Sequence, residues 1–181
     1  MKRLQRAALL AELVERMHAN NSWCGETHLQ KATFFLQELL GVDLGYDFIL
    51  YKHGPFSFDL RDELSDFAAD KLIRYQPQLP PYGPRITVTT EGKNVQGMYP
   101  KMIGGNADKI AFVADKLDAR GVQELERLAT ALFLTLDAPD AAAEKRAEAL
   151  RNLKPHIPEP AALRAVNEVD EIRNGAVGLA A

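Results

Sequence analysis

The chain has 181 residues, of which 46% are hydrophobic and 26% are charged, and its net charge at neutral pH is −3. This is the composition of a globular protein that can bury a core without disulfides or metal, and the acidic balance gives no support for binding nucleic acid or anionic membrane through bulk charge. The single cysteine, Cys24, excludes an intramolecular disulfide and a CxxC metal site. Glu12 and Glu15 interrupt the only segment that starts like a signal peptide, and no apolar run is long enough to span a bilayer. The sequence therefore predicts a cytoplasmic protein.

Two helices are predicted in the first 41 residues. Apolar residues at helical spacing from Leu4 to Met17 indicate the first helix, which is expected to end near Asn20. The segment Thr27-His28-Leu29-Gln30 matches a capping box, in which a Thr and a Gln side chain satisfy each other's backbone N–H groups. The second helix is therefore expected to begin at Thr27 and to end at Gly41.

The next segment leads into a third helix. Residues 46–51 are predicted to be extended or partly helical, with a short strand as the alternative. Gly54-Pro55 is expected to form a turn, because proline fixes φ and glycine tolerates unusual backbone angles. Ser57 is a good N-cap, and the third helix is expected to bury a stripe made by Leu60, Leu64, Phe67 and Ala68.

The remaining chain is predicted as a two-stranded wing followed by helices. Alternating β-branched residues indicate strands over 73–76 and 85–89, joined by a proline-rich loop over 77–84 that cannot pair regularly. Thr90-Glu91-Gly92 is expected to begin a short helix. Gly104-Gly105 predicts a loop, after which Asn106 caps a helix to about residue 117. Helices over about 122–136 and 139–153, a proline-rich connector over 154–160 and a last helix to about 173 follow, before a frayed tail.

This order of helices and strands is typical of a winged helix. We therefore predict a mainly α (α+β) protein with a winged-helix-like core and a short two-stranded wing in residues 1–103. Residues 104–181 are expected to form a helical extension packed on that core.

The helix in the recognition position of this winged helix is acidic. Between residues 57 and 70 its charged side chains are five acids and one arginine, namely Asp59, Asp62, Glu63, Asp66, Asp70 and Arg61. DNA carries one negative charge per ~1.7 Å of its axis, so this helix would be repelled by it. An acidic helix beside aromatic residues suits a basic protein surface instead, because complementary charge steers association and selects the partner.

Two motifs in this region carry a family resemblance. Residues 28–37 read HLQKATFFLQ, and residues 51–57 read YKHGPFS. With Gly45-Tyr46-Asp47-Phe48, the leucine-rich third helix and Thr89-Thr90-Glu91-Gly92, this region resembles the Panacea and YwgA-like family of small bacterial and phage-associated proteins. Family members whose role is understood are antitoxins and adaptors. The resemblance implies a protein-binding module without enzymatic activity, in a toxin–antitoxin or phage-related system, whose partner could be a basic toxin.

His53-Gly54-Pro55-Phe56 is the sharpest local motif. It could present a rigid aromatic anchor on a turn, or it could set the entry of the third helix, with Phe56 packed beneath it. The residues expected to bind a protein partner are His53, Phe56, Asp59, Asp62 and Asp66.

The alternative function is a winged-helix DNA-binding transcriptional regulator. Lys71, Arg74, Arg85 and Lys93 could form a basic rim around the wing, or they could simply charge a solvated strand edge. A homodimer formed through the outer helices is also open.

No catalytic, cofactor or metal site is expected. Ser57 and His53 lack the Gly-x-Ser-x-Gly frame of a nucleophile elbow, and Gly104-Gly105 lacks the Lys and Ser/Thr of a phosphate-binding loop. Cys24 and His28 are only two of the roughly four ligands that zinc requires.

Overall fold

The protein is mainly helical, with two small antiparallel sheets of two strands each, which confirms the predicted fold class at this level. The computed structural model describes residues 1–80, 82–117 and 119–179. Its elements in chain order are α1 (Arg3–Ala19), α2 (Glu26–Phe34) with a π-helical segment (Phe35–Leu39), β1 (Ile49–Tyr51), β2 (Gly54–Phe56), α3 (Phe58–Ala69), β3 (Ile73–Gln76), β4 (Arg85–Val88), α4 (Thr90–Gly97), α5 (Pro100–Leu117), α6 (Val122–Asp137), α7 (Ala143–Leu153) and α8 (Glu159–Ala176).

Helix α1 has the predicted bounds but is buried on more of its circumference than a single stripe. The five consecutive residues from Ala7 to Ala11 are all buried. Five residues cover more than a full helical turn, and α1 contacts α2, α4, α5 and β4. It is therefore a central helix of the fold.

The predicted capping box at Thr27 is wrong. Helix α2 begins one residue earlier, at Glu26, with Gly25 as its N-cap. The Gln30 side chain is fully buried and binds the backbone of Ser57, so it is not available to cap its own helix. The hydrogen bonds between Gln30 and Ser57, which are distant in the sequence, therefore replace the local capping interaction that was predicted.

The second helix ends in a π-helical segment that the sequence did not indicate. Residues Phe35–Leu39 form this segment, and Gly41 follows with a φ of +68°, which is the left-handed conformation expected at a helix end. The stop at Gly41 is confirmed.

Strands β1 and β2 form a hairpin whose turn differs from the prediction. Tyr51 pairs with Gly54, so the two turn residues are Lys52 and His53, and Gly54-Pro55 lies within β2. Glycine is required at position 54 because its φ is +84° and because an added Cβ would lie 2.7 Å from Thr130 Oγ1 of α6. The hairpin is thus pressed directly onto α6.

Helix α3 begins as predicted. Ser57 is the N-cap, and its Oγ accepts a hydrogen bond from the backbone N–H of Leu60 at 3.2 Å. The predicted stripe is buried at Leu60, Leu64 and Phe67, and half-buried at Ala68.

The two strands that the sequence predicted as a wing, β3 and β4, are present and pair with each other. β3 pairs with β4 from Ile73↔Val88 to Gln76↔Arg85, and Thr89 then caps α4 by accepting from the N–H of Gly92 at 3.0 Å. Pro81, in the predicted wing loop, lies outside the described residues.

The C-terminal helices require three corrections. α5 runs without a break through Gly104 and Gly105, and Asn106 donates to the carbonyl of Met102 at 2.9 Å inside the helix, so the predicted loop and cap are wrong. The proposed boundary between residues 103 and 104 therefore lies within α5. α7 begins at Ala143 rather than near residue 139, and α8 continues to Ala176, whose side chain is buried.

Buried apolar residues from both predicted parts of the chain form one cluster. In the ranges that the structure describes, no helix has both the length and the apolar character needed to cross a membrane.

Candidate protein-binding surface

The β1–β2 hairpin is fixed to α2 by two buried polar side chains. The Gln30 Nε2 donates to the Ser57 carbonyl at 2.8 Å, while its Oε1 accepts from the Ser57 N–H at 3.0 Å. The Lys31 Nζ donates to the Pro55 carbonyl at 2.7 Å. The two motifs of the family resemblance, around residues 28–37 and 51–57, therefore hold each other in place.

Lys31 makes this contact at an electrostatic cost. Only 1% of the residue is exposed, and burial lowers the pKa of its ammonium to about 8, although the nearby carboxylate of Glu126 opposes this shift. A charge this deeply buried is retained where its hydrogen bond is needed, here to fix the hairpin.

The hairpin and the start of α3 present three aromatic rings, which we call the aromatic cluster: Tyr51, Phe56 and Phe58. Their ring centroids are 5.1 to 5.9 Å apart. Tyr51 is 45% exposed and Phe58 38%, and the neighbouring Ile49 is 48% exposed. Large apolar side chains exposed together are unusual on a soluble protein and mark binding surfaces.

Arg61 joins the aromatic cluster to the acidic side of α3. Its guanidinium carbon lies 5.0 Å from the centroid of the Phe58 ring, and its Nε and Nη2 donate to Asp62 Oδ1 at 2.8 and 2.7 Å. Asp59, Asp62 and Asp66 follow at i, i+3 and i+7, are all exposed, and lie on one side of the helix. We call these three residues the acidic stripe.

The exposed charge of α3 is smaller than the sequence indicated, because Glu63 is not on the surface. Its carboxylate accepts from Arg6 Nε and Nη2 at 2.7 and 2.6 Å and from the Tyr46 hydroxyl. The hydrogen bond that Arg6 donates to Glu63 raises the pKa of Arg6. Burial, followed by the hydrogen bond to the same carboxylate, raises the pKa of Tyr46. Glu63 is therefore a structural residue.

The carboxylates on and beside the acidic stripe differ in how far they are neutralised. Asp70, one turn beyond the stripe, pairs with Arg3 at 2.5 Å, and Asp62 pairs with Arg61. Asp59 lies in the first turn of α3, where the helix dipole stabilises a carboxylate without any partner protein. Within the part of the chain that the structure describes, Asp59 and Asp66 form no salt bridge.

Four of the five predicted partner-binding residues lie on this surface, and the fifth does not. Phe56 is half-buried between Tyr51 and Phe58, beside the acidic stripe. His53 lies at the hairpin turn instead, with its Nδ1 3.0 Å from Glu126 Oε1 of α6.

Sequence reasoning did not identify Ile49, Tyr51 or Phe58. Their signal is the alternation of exposed apolar residues along β1 and the Phe-Ser-Phe sequence around the N-cap Ser57. That alternation becomes visible only once residues 49–51 are known to be a strand.

The four residues of the predicted basic rim do not form one free patch. Lys71 and Arg74 are exposed on or beside β3. Lys93 pairs with Glu15 at 3.1 Å, and the Arg85 Nη2 lies 2.5 Å from His18 Nδ1 of α1. Two of the four are therefore engaged by α1.

The chemistry that this surface offers is recognition through aromatic faces and carboxylates. Elsewhere, Cys24 is buried, and burial raises the pKa of its thiol to about 12, while the His28 Nε2 lies 3.2 Å from the carbonyl of Arg120. Among the described residues, no group of three or more His, Cys, Asp or Glu side chains is arranged to hold a metal ion.

No protein-family model matches the chain, and no curated protein matches it either.

Proposed function

We propose that this protein is a non-enzymatic binding module, of the antitoxin or adaptor type, that docks a basic protein partner in a bacterial toxin–antitoxin or phage-related system. The observation that supports this function best is the exposed aromatic cluster of Tyr51, Phe56 and Phe58, joined through Arg61 to the acidic stripe. A few buried anchor residues, among which aromatic side chains are enriched, carry most of the binding energy at an interface, and the surrounding charge selects the partner.

The fold supports the same proposal. α2, α3 and the β3–β4 hairpin follow one another in the order of a winged helix, and we propose a winged-helix-like core on that basis. The motifs that resemble the Panacea and YwgA-like family include the side chains, Gln30 and Lys31, that fix the hairpin to α2. The resemblance therefore lies in residues that build the proposed surface.

The decisive experiment is capture of the partner from the native host by the tagged protein, with three matched variants. Asp62→Lys combined with Asp66→Lys reverses the acidic stripe without touching the dipole-stabilised Asp59. Asp108→Lys combined with Glu171→Lys makes the same change in net charge at exposed positions of α5 and α8. We expect a stoichiometric basic protein with the wild type and the control, and its loss with the stripe variant.

The third variant separates aromatic anchoring from charge. Tyr51→Ala combined with Phe58→Ala removes the exposed rings, and we expect it to weaken capture at every salt concentration because apolar contacts are not screened. The charge-reversed stripe variant should reduce capture most strongly at low salt, where charge interactions are least screened. Equal capture by the wild type and both surface variants would contradict the proposed surface.

A DNA-binding regulator is the second candidate, supported by the exposure of Lys71 and Arg74 beside the wing. It predicts that DNA is captured in place of a protein and released steeply as salt rises, because phosphate contacts release counterions. Lys71→Ala combined with Arg74→Ala would abolish that capture. Such a result would replace the first proposal.

A further inference from the structure

A cavity of about 570 Å³ lies on a different part of the molecule, between the end of α1 and the wing. Its walls come from the C-terminal end of α1, the segment before α2, the wing residues ahead of β4, and the connection between α5 and α6. This volume is within the range of cavities that bind small molecules. None of the residues of the aromatic cluster or the acidic stripe lines it.

Two aromatic rings form one wall of the cavity. The centroids of Trp23 and Tyr82 are 4.7 Å apart, with an angle of 33° between the ring planes. Tyr82 is 61% exposed, so its ring is held by Trp23 rather than by the core. An aromatic pair at the mouth of a cavity offers a face on which a flat ring can stack.

Arg85 also lines the cavity, and the groups that contact it do not neutralise its positive charge. His18 Nε2 lies 2.7 Å from the carbonyl of Ile86, and since a carbonyl only accepts, this nitrogen carries the proton. His18 Nδ1, 2.5 Å from Arg85 Nη2, then accepts from the guanidinium, which makes His18 neutral. Burial lowers the pKa of His18, and the charge of Arg85 adds to this shift while the hydrogen bond to Ile86 opposes it, in agreement with a neutral imidazole.

The contrast with Arg120, which lines the same cavity, shows what Arg85 lacks. Arg120 pairs with Glu124 at 2.8 Å and with Glu168 at 2.7 Å. No carboxylate of the described residues lies within salt-bridge distance of Arg85. The charge of Arg120 is therefore neutralised by carboxylates, whereas the charge of Arg85 is not.

The backbone beside the cavity is strained as well. Asn21 and Cys24 have φ values of +61° and +52°, a left-handed conformation that is unfavourable for a residue such as cysteine. The strained segment between α1 and α2 places Trp23 against Tyr82, and the Cys24 carbonyl accepts from the N–H of Ile86 at 2.9 Å. Strain of this kind clusters at binding sites.

We propose that this cavity binds a small aromatic anion, whose ring stacks on Trp23 and Tyr82 and whose acidic group pairs with Arg85. Nucleoside monophosphates and aromatic carboxylates share this chemistry. The site is independent of the protein-docking surface, so either proposal can fail while the other stands.

Trp23 is the only tryptophan of the chain, so its fluorescence reports directly on this cavity. The fluorescence titration uses adenosine 5′-monophosphate, with adenosine and inorganic phosphate as half-ligands, and calorimetry confirms each affinity. Indole-3-acetate, the second anion, itself fluoresces as an indole, so its binding is measured by calorimetry alone. We expect saturable binding of at least one anion. Each half-ligand should bind at least about 10-fold more weakly, because it loses either stacking or a charged hydrogen bond.

Three variants test the assigned roles. Arg85→Gln should weaken anion binding about 10-fold or more while leaving adenosine unaffected, and Tyr82→Ala should weaken both. Lys71→Gln, on the exposed side of the wing, is the control for loss of one positive charge. Far-UV circular dichroism checks that Arg85→Gln still folds. If Arg85→Gln does not fold, Tyr82→Ala still tests the proposal, because it changes an exposed side chain.

Three outcomes would overturn the proposal. The first is that neither anion binds up to millimolar concentration, and the second is equal binding by the wild type, Arg85→Gln and Tyr82→Ala. The third is tight binding of a DNA oligonucleotide without either small anion, which would assign Arg85 to the wing's DNA contact instead.

Discussion

Replacing Lys31 by methionine tests whether the hairpin is held by a buried charge. The wild-type ammonium loses its proton near pH 8 in the folded protein, against 10.5 for the ordinary group. Between these two values the unfolded chain binds more protons than the folded chain. The free energy of unfolding of the wild type therefore rises as the pH increases through this window.

The size of the effect follows from the pKa shift. The difference between 10.5 and about 8 corresponds to about 3 kcal/mol at 1.36 kcal/mol per unit. Lys31→Met has no proton to lose, so its stability lacks this rise. The variant also leaves the Pro55 carbonyl without a donor, which costs roughly 1–3 kcal/mol at every pH. Near pH 7 the two effects nearly cancel, and at high pH the variant is the less stable protein.

Urea unfolding of both proteins, followed by Trp23 fluorescence from pH 7 to pH 10.5, measures this difference. Subtracting one curve from the other removes the titration of all other groups. Lys101→Met, at an exposed lysine of α5, is the control and should give a curve parallel to that of the wild type. Parallel curves for Lys31→Met as well would show that Lys31 is not desolvated and would refute the reasoning.

Four further substitutions, one of them a comparison for another, test the packing of the fold. Gln30→Ala should lower the free energy of unfolding by roughly 2–4 kcal/mol, because it leaves two buried backbone groups of Ser57 unpaired. Gln37→Ala, which removes a similar side-chain contact to the backbone of Tyr46 at the edge of a surface cavity, should lower it by less. Gly54→Ala should cost roughly 2–4 kcal/mol through its positive φ and the contact with α6. Thr33→Val should be neutral or stabilise by about 1 kcal/mol, because the buried Thr33 hydroxyl has no hydrogen-bond partner among the residues that the structure describes. Urea unfolding measures all four. Equal losses for the two glutamines, an unchanged Gly54→Ala, or a clear loss in Thr33→Val would each contradict the corresponding contact.

The parts of the fold that were predicted correctly are those whose signals are local. Ser57 caps α3 through a hydrogen bond to a residue three positions away, and the alternation over 73–76 and 85–89 concerns neighbouring residues within each strand. The failures have long-range causes. Gln30 binds Ser57 instead of its own helix, and Gly104-Gly105 stays helical although glycine is a weak helix former, because α5 packs against α1, α2 and α4.

The proposed surface was predicted only in part for the same reason. The acidic residues were visible in the sequence, but charge alone could not distinguish the exposed Asp62 from Glu63, which is drawn inward by Arg6 from another helix. Tyr51 and Phe58 become neighbours only through the hairpin register and the entry of α3. The sequence motifs therefore indicated the region of the proposed surface, whereas tertiary contacts determine which of its side chains are exposed.

The central position of α1 also bears on how the chain folds during synthesis. Its partners α4 and α5 are encoded up to Leu117, so the apolar faces of the first helix leave the ribosome long before the elements that cover them. Translation at roughly 5–20 residues per second leaves this helix uncovered for several seconds. A nascent chain of this protein should therefore be a client of ribosome-associated chaperones until α5 has emerged, and crosslinking of stalled chains to those chaperones would show the contact ending at that length.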